Sequence, residues 1–109
     1  MSLDFYLEDE DEAGRRRELF HAVITDNLGR MADSAAVYWC LWEPRQQGVR
    51  FAGDLIPYLE SGLARLRDEP ERFRQMDPPH GDYDALVRFV ESVLGACREH
   101  PWARVNVSA

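Results

Sequence analysis

The side chains best suited to chemistry in this 109-residue chain surround one short segment, Thr25–Asn27. Asp26 supplies a carboxylate, Asn27 supplies an amide, and His21 lies just upstream. A histidine and a carboxylate together can act as a general base or as metal ligands. They provide only two ligands where a metal site usually needs three or four. The sequence therefore predicts a polar junction at Thr25–Asn27 that could bind a small ligand, with no metal, no cofactor and no assigned catalytic residue.

Two side chains from other parts of the chain could complete this junction. Tyr38 lies at the edge of an apolar stripe, where its hydroxyl is free to reach a polar ligand. His80 lies in a segment rich in proline and glycine that is typical of a loop, and loops often carry binding residues. The candidate ligand-binding residues are therefore Asp26, Asn27, Tyr38, His21 and His80. Helix capping is the structural alternative for Asp26 and Asn27, and simple packing or exposure is the alternative for the histidines.

The elements that would position these residues begin with a hairpin. Residues 3–7 alternate apolar and polar side chains, and a second strand is predicted over residues 18–24. Five consecutive acidic residues, 8–12, precede three consecutive arginines, 15–17, so we expect cross-strand ion pairs at the tip. The alternative for this tip is an acidic patch that binds a basic partner.

A helical period begins at Leu28 and ends before Pro44. Val37 and Leu41 point away from the apolar stripe, so this helix is either covered on two sides or broken near Ala36. If both side chains were exposed, they could form the seam of a homodimer; the oligomeric state is otherwise open. Thr25 or Asp26 is the expected N-cap of this helix.

Two further helices and a last strand follow. Asp54 is expected to cap a helix that ends at residues 68–70, where a short helix through Phe73 begins. Asp82 is expected to cap a helix from Tyr83 to about Arg98. Residues 105–107 alternate like a strand that could join the hairpin. The prediction is a single α+β domain spanning residues 1–109, with a small, mostly antiparallel sheet packed by three main helices.

The tryptophans and cysteines are expected to contribute to packing. Trp39 and Trp42 lie on the core-facing stripe, and Trp102 is expected to pack at the edge of the sheet or a helix. Cys40 and Cys97 lie in apolar helical surroundings and are expected to be buried and reduced. There is no CxxC motif to suggest zinc.

The formal net charge of −7 limits the possible partners. It argues against nucleic-acid binding and against anionic membrane surfaces, and it permits a basic protein partner. No apolar run approaches the length of a membrane span, and the N-terminus lacks signal-peptide features, so a cytoplasmic location is expected. All 13 basic residues are arginine, which is typical of a GC-rich bacterial genome.

Several motifs occur in a distinctive order. Residues 25–32 read Thr-Asp-Asn-Leu-Gly-Arg-Met-Ala, residues 38–42 read Tyr-Trp-Cys-Leu-Trp, and Asp-Leu-Ile follows at 54–56. In this order they resemble a family of small bacterial and phage-related proteins with the segments T-H-N-L-G-x-M-A and Y-x-x-L-W. Asp26 stands where that family has histidine, and the loop around His80 also departs from its pattern. The resemblance implies a relationship and no activity.

Three functional hypotheses follow from the sequence. No catalytic signature such as GxSxG, HExxH or Walker A is present, which favours a small non-enzymatic protein that binds a protein partner, and the charge permits this partner to be basic. The second hypothesis is a small-ligand or enzymatic site at the Thr25–Asn27 junction. The third is an acidic immunity-type protein or nucleic-acid mimic, which requires a continuous stripe of carboxylates on the surface.

Overall fold

The computed structural model describes residues 2–77 and 82–109. A three-stranded antiparallel sheet has the order β2-β1-β3. Its strands are β1 (Ser2–Glu10), β2 (Arg16–Thr25) and β3 (Arg104–Ser108). The helices are α1 (Gly29–Ser34), α2 (Tyr38–Trp42), α3 (Ile56–Asp68), α4 (Pro70–Arg74) and α5 (Tyr83–Glu99). The predicted α+β class, the hairpin and the added C-terminal strand are confirmed.

The two faces of the sheet have different environments. On one face, Leu3, Phe5 and Leu7 are fully buried, because the helices pack on this side and form the core. The other face carries polar side chains, and Tyr6 on β1 lies opposite His21 on β2. The alternation of residues 3–7 therefore predicted the orientation of β1 correctly.

The hairpin tip is stabilised by the expected cross-strand ion pairs. Arg17 donates to the two Asp9 carboxylate oxygens from Nε and Nη2, at 2.8 and 2.7 Å. Arg16 lies 3.6 Å from Glu8. This pairing extends the ladder to Arg16, two residues before the predicted start of β2. The Arg17 guanidinium lowers the pKa of Asp9 below its ordinary value.

The first predicted helix is broken at Ala36. This residue has a φ of 62°, in the left-handed region, and it separates α1 from α2. The turn directs both Val37 and Leu41 into the core, where each is fully buried. The predicted break is confirmed, and the exposed homodimer seam that required these two side chains at the surface is wrong.

A close approach holds this turn against α3. A Cβ atom added at Gly62 would lie 2.1 Å from Val37 Cγ1, so only glycine fits there without movement. Arg65 Nη1 also donates to the Ala35 carbonyl at 3.1 Å. These contacts fix α2 beside α3.

The helix caps follow the predictions only in part. The Asp82 side chain accepts a hydrogen bond from the Ala85 amide at 2.5 Å, which confirms this cap. Asp54 does not cap α3, because it lies inside a 3-10 turn, Ala52–Leu55, that precedes the helix. Thr25 occupies the N-cap position of the 3-10 turn Asp26–Leu28, but its side chain makes no cap hydrogen bond.

The tryptophans differ in burial, and the cysteines do not. Trp42 is buried as predicted, Trp39 is half-buried, and both Cys40 and Cys97 are buried free thiols. Trp102 is 57% exposed, and its ring packs edge to face on His100, the C-cap residue of α5. No helix in the described ranges is long and apolar enough to cross a membrane.

Candidate functional site

The Thr25–Asn27 junction forms an internal network with α2. Asp26 Oδ1 accepts a hydrogen bond from the Trp42 indole Nε1 at 3.3 Å. The Trp42 ring in turn stacks on Tyr38, with 5.0 Å between ring centroids and 9° between planes. The structure therefore brings Asp26 and Tyr38 together as predicted, although they are joined through a tryptophan assigned to the core.

Asn27 is also engaged within the junction. The Thr25 hydroxyl donates a hydrogen bond to Asn27 Oδ1, although both residues are exposed. This bond and the Asp26–Trp42 bond each engage one acceptor oxygen of the junction, Asn27 Oδ1 and Asp26 Oδ1. Asp26 serves to position Trp42 and is not a side-chain cap, which corrects the capping interpretation.

His21 belongs to a different part of the surface. Its Nε2 lies 2.7 Å from Asp4 Oδ1, and its ring stacks on Tyr6 with centroids 4.4 Å apart. Loss of hydration, and then the Asp4 carboxylate, raise the pKa of the Tyr6 hydroxyl. At about 3.3 Å per strand residue, His21 lies roughly 13 Å from Thr25, so it does not join Asp26.

His80 lies outside the described residues, and its predicted contribution to the junction stays a prediction. Within residues 2–77 and 82–109, no group of three or more His, Cys, Asp and Glu side chains is placed to hold a metal ion. The His21–Asp4 pair can orient a proton, and it provides two potential ligands.

A surface cleft of about 740 Å³ includes Trp39 of α2 in its lining. We call it the aromatic cleft. Its principal lining residues are Trp39, Gln47, Val49, Asp54, Pro57 and Tyr58. This volume is within the range of small-molecule and peptide side-chain pockets.

An edge-to-face aromatic pair forms one wall of the aromatic cleft. The Trp39 and Tyr58 rings have centroids 4.9 Å apart and an interplanar angle of 74°. Tyr58 is 51% exposed, so much of this pair is available to a ligand. The Gly62–Val37 contact positions the pair, because it sets the distance between α2 and α3.

Residues 47–54 include a further part of the cleft lining, and backbone hydrogen bonds hold this segment near both of its ends. Val49 N donates to the Pro44 carbonyl at 3.0 Å, and Gly53 N donates to the Pro101 carbonyl at 2.9 Å. Asp54 follows on the surface, and its carboxylate forms no ion pair or hydrogen bond with the described residues. The cleft therefore combines exposed aromatic surface with a carboxylate that is free to bind a cation.

The sequence prediction did not identify Trp39, Asp54 or Tyr58 as site residues. Tyr58 carried a usable signal, because it is a large aromatic residue outside the α3 stripe of Leu59, Leu63 and Leu66. Its pairing with Trp39 depends on the turn at Ala36, which local sequence patterns specify poorly.

Burial also determines the state of the two thiols. It raises the pKa of Cys40 to about 12 and that of Cys97 to about 12. Both thiols are therefore protonated near neutral pH and are poor nucleophiles. Neither contributes a reactive group to the junction or to the aromatic cleft.

No protein-family model matches the chain, and no curated protein or solved structure matches it. The family resemblance in residues 25–42 therefore stays a prediction.

Proposed function

We propose that the protein is a small, non-enzymatic partner-binding protein that holds an extended basic segment of another protein in the aromatic cleft. The observation that carries this proposal is the exposed Trp39–Tyr58 pair beside the unpaired Asp54 carboxylate. Aromatic side chains supply large contact areas at low entropic cost, which is why they dominate binding surfaces.

The shape of the cleft favours an extended segment. Pro57 and Tyr58 project from the first turn of α3, and Val49 forms part of the facing wall. Grooves lined by aromatic rings commonly bind extended, proline-containing chains, since such chains lose little conformational entropy on binding. Apolar residues and prolines of the partner would pack on Tyr58 and Trp39.

The charge of the cleft favours a basic partner. Asp54 can pair with an arginine or lysine of the bound segment, and a cation can also contact the face of Tyr58. The net charge of −7 would increase the association rate of a basic partner at low salt. These features support the basic partner expected from composition.

A defined peptide panel tests the proposal. One blocked decapeptide alternates arginine with proline and leucine, and a matched peptide carries glutamate in place of arginine. We expect the basic peptide to bind with a Kd on the order of 100 μM, measured by tryptophan fluorescence and calorimetry. Tyr58→Ala and Asp54→Asn should each weaken binding by about tenfold.

Matched controls separate the cleft from general surface effects. Trp102→Ala removes another exposed aromatic residue, and Asp33→Asn removes another exposed carboxylate. Both should leave the Kd unchanged. Equal binding of the basic and acidic peptides, or equal weakening by Trp102→Ala and Tyr58→Ala, would contradict the proposal.

The other two hypotheses receive less support. Asn27 Oδ1 and Asp26 Oδ1 each accept an internal hydrogen bond, which gives a ligand or enzymatic site at the Thr25–Asn27 junction less support than the aromatic cleft has. Many acidic side chains are paired with arginines, for example Asp9 with Arg17 and Glu60 with Arg98, so the charges are interleaved. That distribution disfavours a nucleic-acid mimic.

Composition and resemblance support a cytoplasmic protein of bacterial or phage-related origin.

A further inference from the structure

A second cavity, of about 660 Å³, shares Gly48 and Val49 with the aromatic cleft. We call it the arginine cavity. Its other lining residues are Arg45, Arg50, Phe51, Arg104 and Val105. Three arginines line this cavity in a chain of net charge −7. Arg45 and Arg104 also line a smaller neighbouring cavity with Glu8, Asp9 and Glu10.

The backbone around the arginine cavity is fixed by pairing to β3. Val105 N donates to the Arg50 carbonyl, and Ala52 N donates to the Ala103 carbonyl, each at 2.9 Å. Phe51 and Arg104 form an antiparallel bridge, and directly opposed residues project from the same side with Cβ atoms about 4.5–5.5 Å apart. The Phe51 ring and the Arg104 guanidinium are therefore presented together.

Of the three arginines, one forms an ion pair with a carboxylate of the described residues. Arg45 and Arg50 form no ion pair with any side chain in residues 2–77 and 82–109. Arg104 Nη1 lies 3.5 Å from Glu10 Oε1, and both side chains are exposed, so water weakens this pair. The donors of Arg45 and Arg50, and those of Arg104 other than the one directed at Glu10, can bind an external anion. Guanidinium groups bind phosphate oxygens in bidentate geometry.

Phe51 adds a planar apolar surface next to these donors. Its side chain is 46% exposed although its backbone is pinned, so one part of the ring faces solvent. Exposed aromatic rings stack on nucleobases, whereas they offer nothing to phosphate alone. The cavity volume is sufficient for a mononucleotide.

We propose that the arginine cavity binds a nucleoside diphosphate or triphosphate. Arg45, Arg50 and Arg104 contact its phosphates, and Phe51 stacks on its base. The acidic remainder of the surface opposes a long polyanion, since a nucleic-acid chain would extend beyond the cavity onto the acidic side chains of the β1–β2 hairpin. A single nucleotide needs only the local basic surface.

Calorimetry with three probes tests the two halves of the site. ADP carries both phosphate and base, pyrophosphate carries only phosphate, and adenosine carries only the base. We expect ADP to bind more tightly than pyrophosphate by about fivefold or more, and adenosine to bind most weakly. Raising the salt concentration from about 50 to about 200 mM should weaken ADP and pyrophosphate binding, because salt screens the attraction between phosphate and guanidinium groups. Adenosine is uncharged, so its binding should not change.

Two variants assign the contacts to residues. The double substitution Arg45→Ala with Arg50→Ala should weaken both ADP and pyrophosphate by about tenfold or more. Phe51→Leu should weaken ADP alone, and it should abolish the ring-current shifts of the adenine protons in NMR spectra. The control double substitution Arg30→Ala with Arg88→Ala removes two exposed arginines elsewhere and should change neither affinity.

The ADP and pyrophosphate measurements can overturn the nucleotide assignment independently of the peptide-binding experiment. Equal affinities for ADP and pyrophosphate would overturn the nucleotide assignment, as would absence of saturable ADP binding at about 5 mM. If the alanine variants unfold, Arg50→Lys keeps the charge and should still lose affinity through loss of the bidentate contact. Tyr58→Ala should leave ADP binding intact, so failure of the aromatic cleft would not remove this inference.

Discussion

The Thr25–Asn27 junction and the aromatic cleft differ in how their side chains are used. At the junction, Trp42 donates to Asp26 and stacks on Tyr38. In the aromatic cleft, Trp39 contacts Tyr58. The junction has the greater variety of polar groups, but the cleft has the greater exposed binding surface.

This difference shows what distinguishes a binding surface from a concentration of versatile residues. The Asp26 carboxylate accepts the Trp42 indole N–H, so it is committed to folding. The Asp54 carboxylate has the same chemistry and no partner among the described side chains. An unpaired group on a pinned loop can bind a ligand without first breaking an internal contact.

The largest expected effect comes from closing the gap between α2 and α3. Gly62→Ala would place a Cβ atom 2.1 Å from Val37 Cγ1. We expect a loss of about 1–3 kcal/mol in the free energy of unfolding, measured with urea, because overpacking forces the helices apart. Peptide affinity should fall too, because the Trp39–Tyr58 wall would be displaced.

Gly95→Ala is the matched control for that change. A Cβ atom at Gly95 meets nothing within 4 Å, and the residue lies inside α5. The substitution should stabilise the protein by up to about 1 kcal/mol through helix propensity. Similar destabilisation by the two substitutions would show that the α2–α3 contact is not special.

The junction should affect stability without affecting binding. Asp26→Ala removes the acceptor of the Trp42 indole and should lower the free energy of unfolding by about 0.5–1.5 kcal/mol. Peptide affinity, measured by calorimetry, should stay unchanged. Loss of peptide binding in a folded Asp26→Ala protein would contradict the assignment of peptide binding to the aromatic cleft.

A substitution at Ala36, in the turn between α1 and α2, should stabilise the protein. Ala36 is exposed and has a φ of 62°, which glycine adopts without steric strain. Ala36→Gly should raise the free energy of unfolding by about 0.5–1 kcal/mol, because relief of the left-handed conformation exceeds the added entropy of the unfolded chain. Destabilisation in thermal melts would mean that Ala36 has packing contacts that outweigh this strain.

The two buried thiols should make the free energy of unfolding depend on pH. Burial raises the pKa of Cys40 and of Cys97 to about 12. The folded state therefore holds these protons more tightly than the unfolded state, and stability should fall as pH rises above about 8.5 toward 12. Cys40→Ala with Cys97→Ala should make this alkaline decline shallower in urea titrations. An unchanged slope would contradict burial of the thiols.

Local patterns were sufficient for much of the fold and for little of the site. The alternation in β1, the Asp82 cap and the charged hairpin tip depend on neighbouring residues or on one short hairpin, so the sequence predicted them. The Ala36 break was predicted as one of two alternatives. The Trp39–Tyr58 pair depends on the Gly62–Val37 approach, which joins residues distant in sequence.

The most direct test of the central claim is a map of amide and indole chemical shifts during titration with the basic decapeptide. The account predicts that the shifts concentrate at the Trp39 indole, Gly53 and Tyr58, and that Tyr58→Ala moves the titration midpoint to an about tenfold higher peptide concentration. Asp26 and Asn27 should remain unperturbed. Shifts centred on Asp26 and Asn27, with the Trp39 indole unmoved, would contradict the assignment of partner binding to the aromatic cleft.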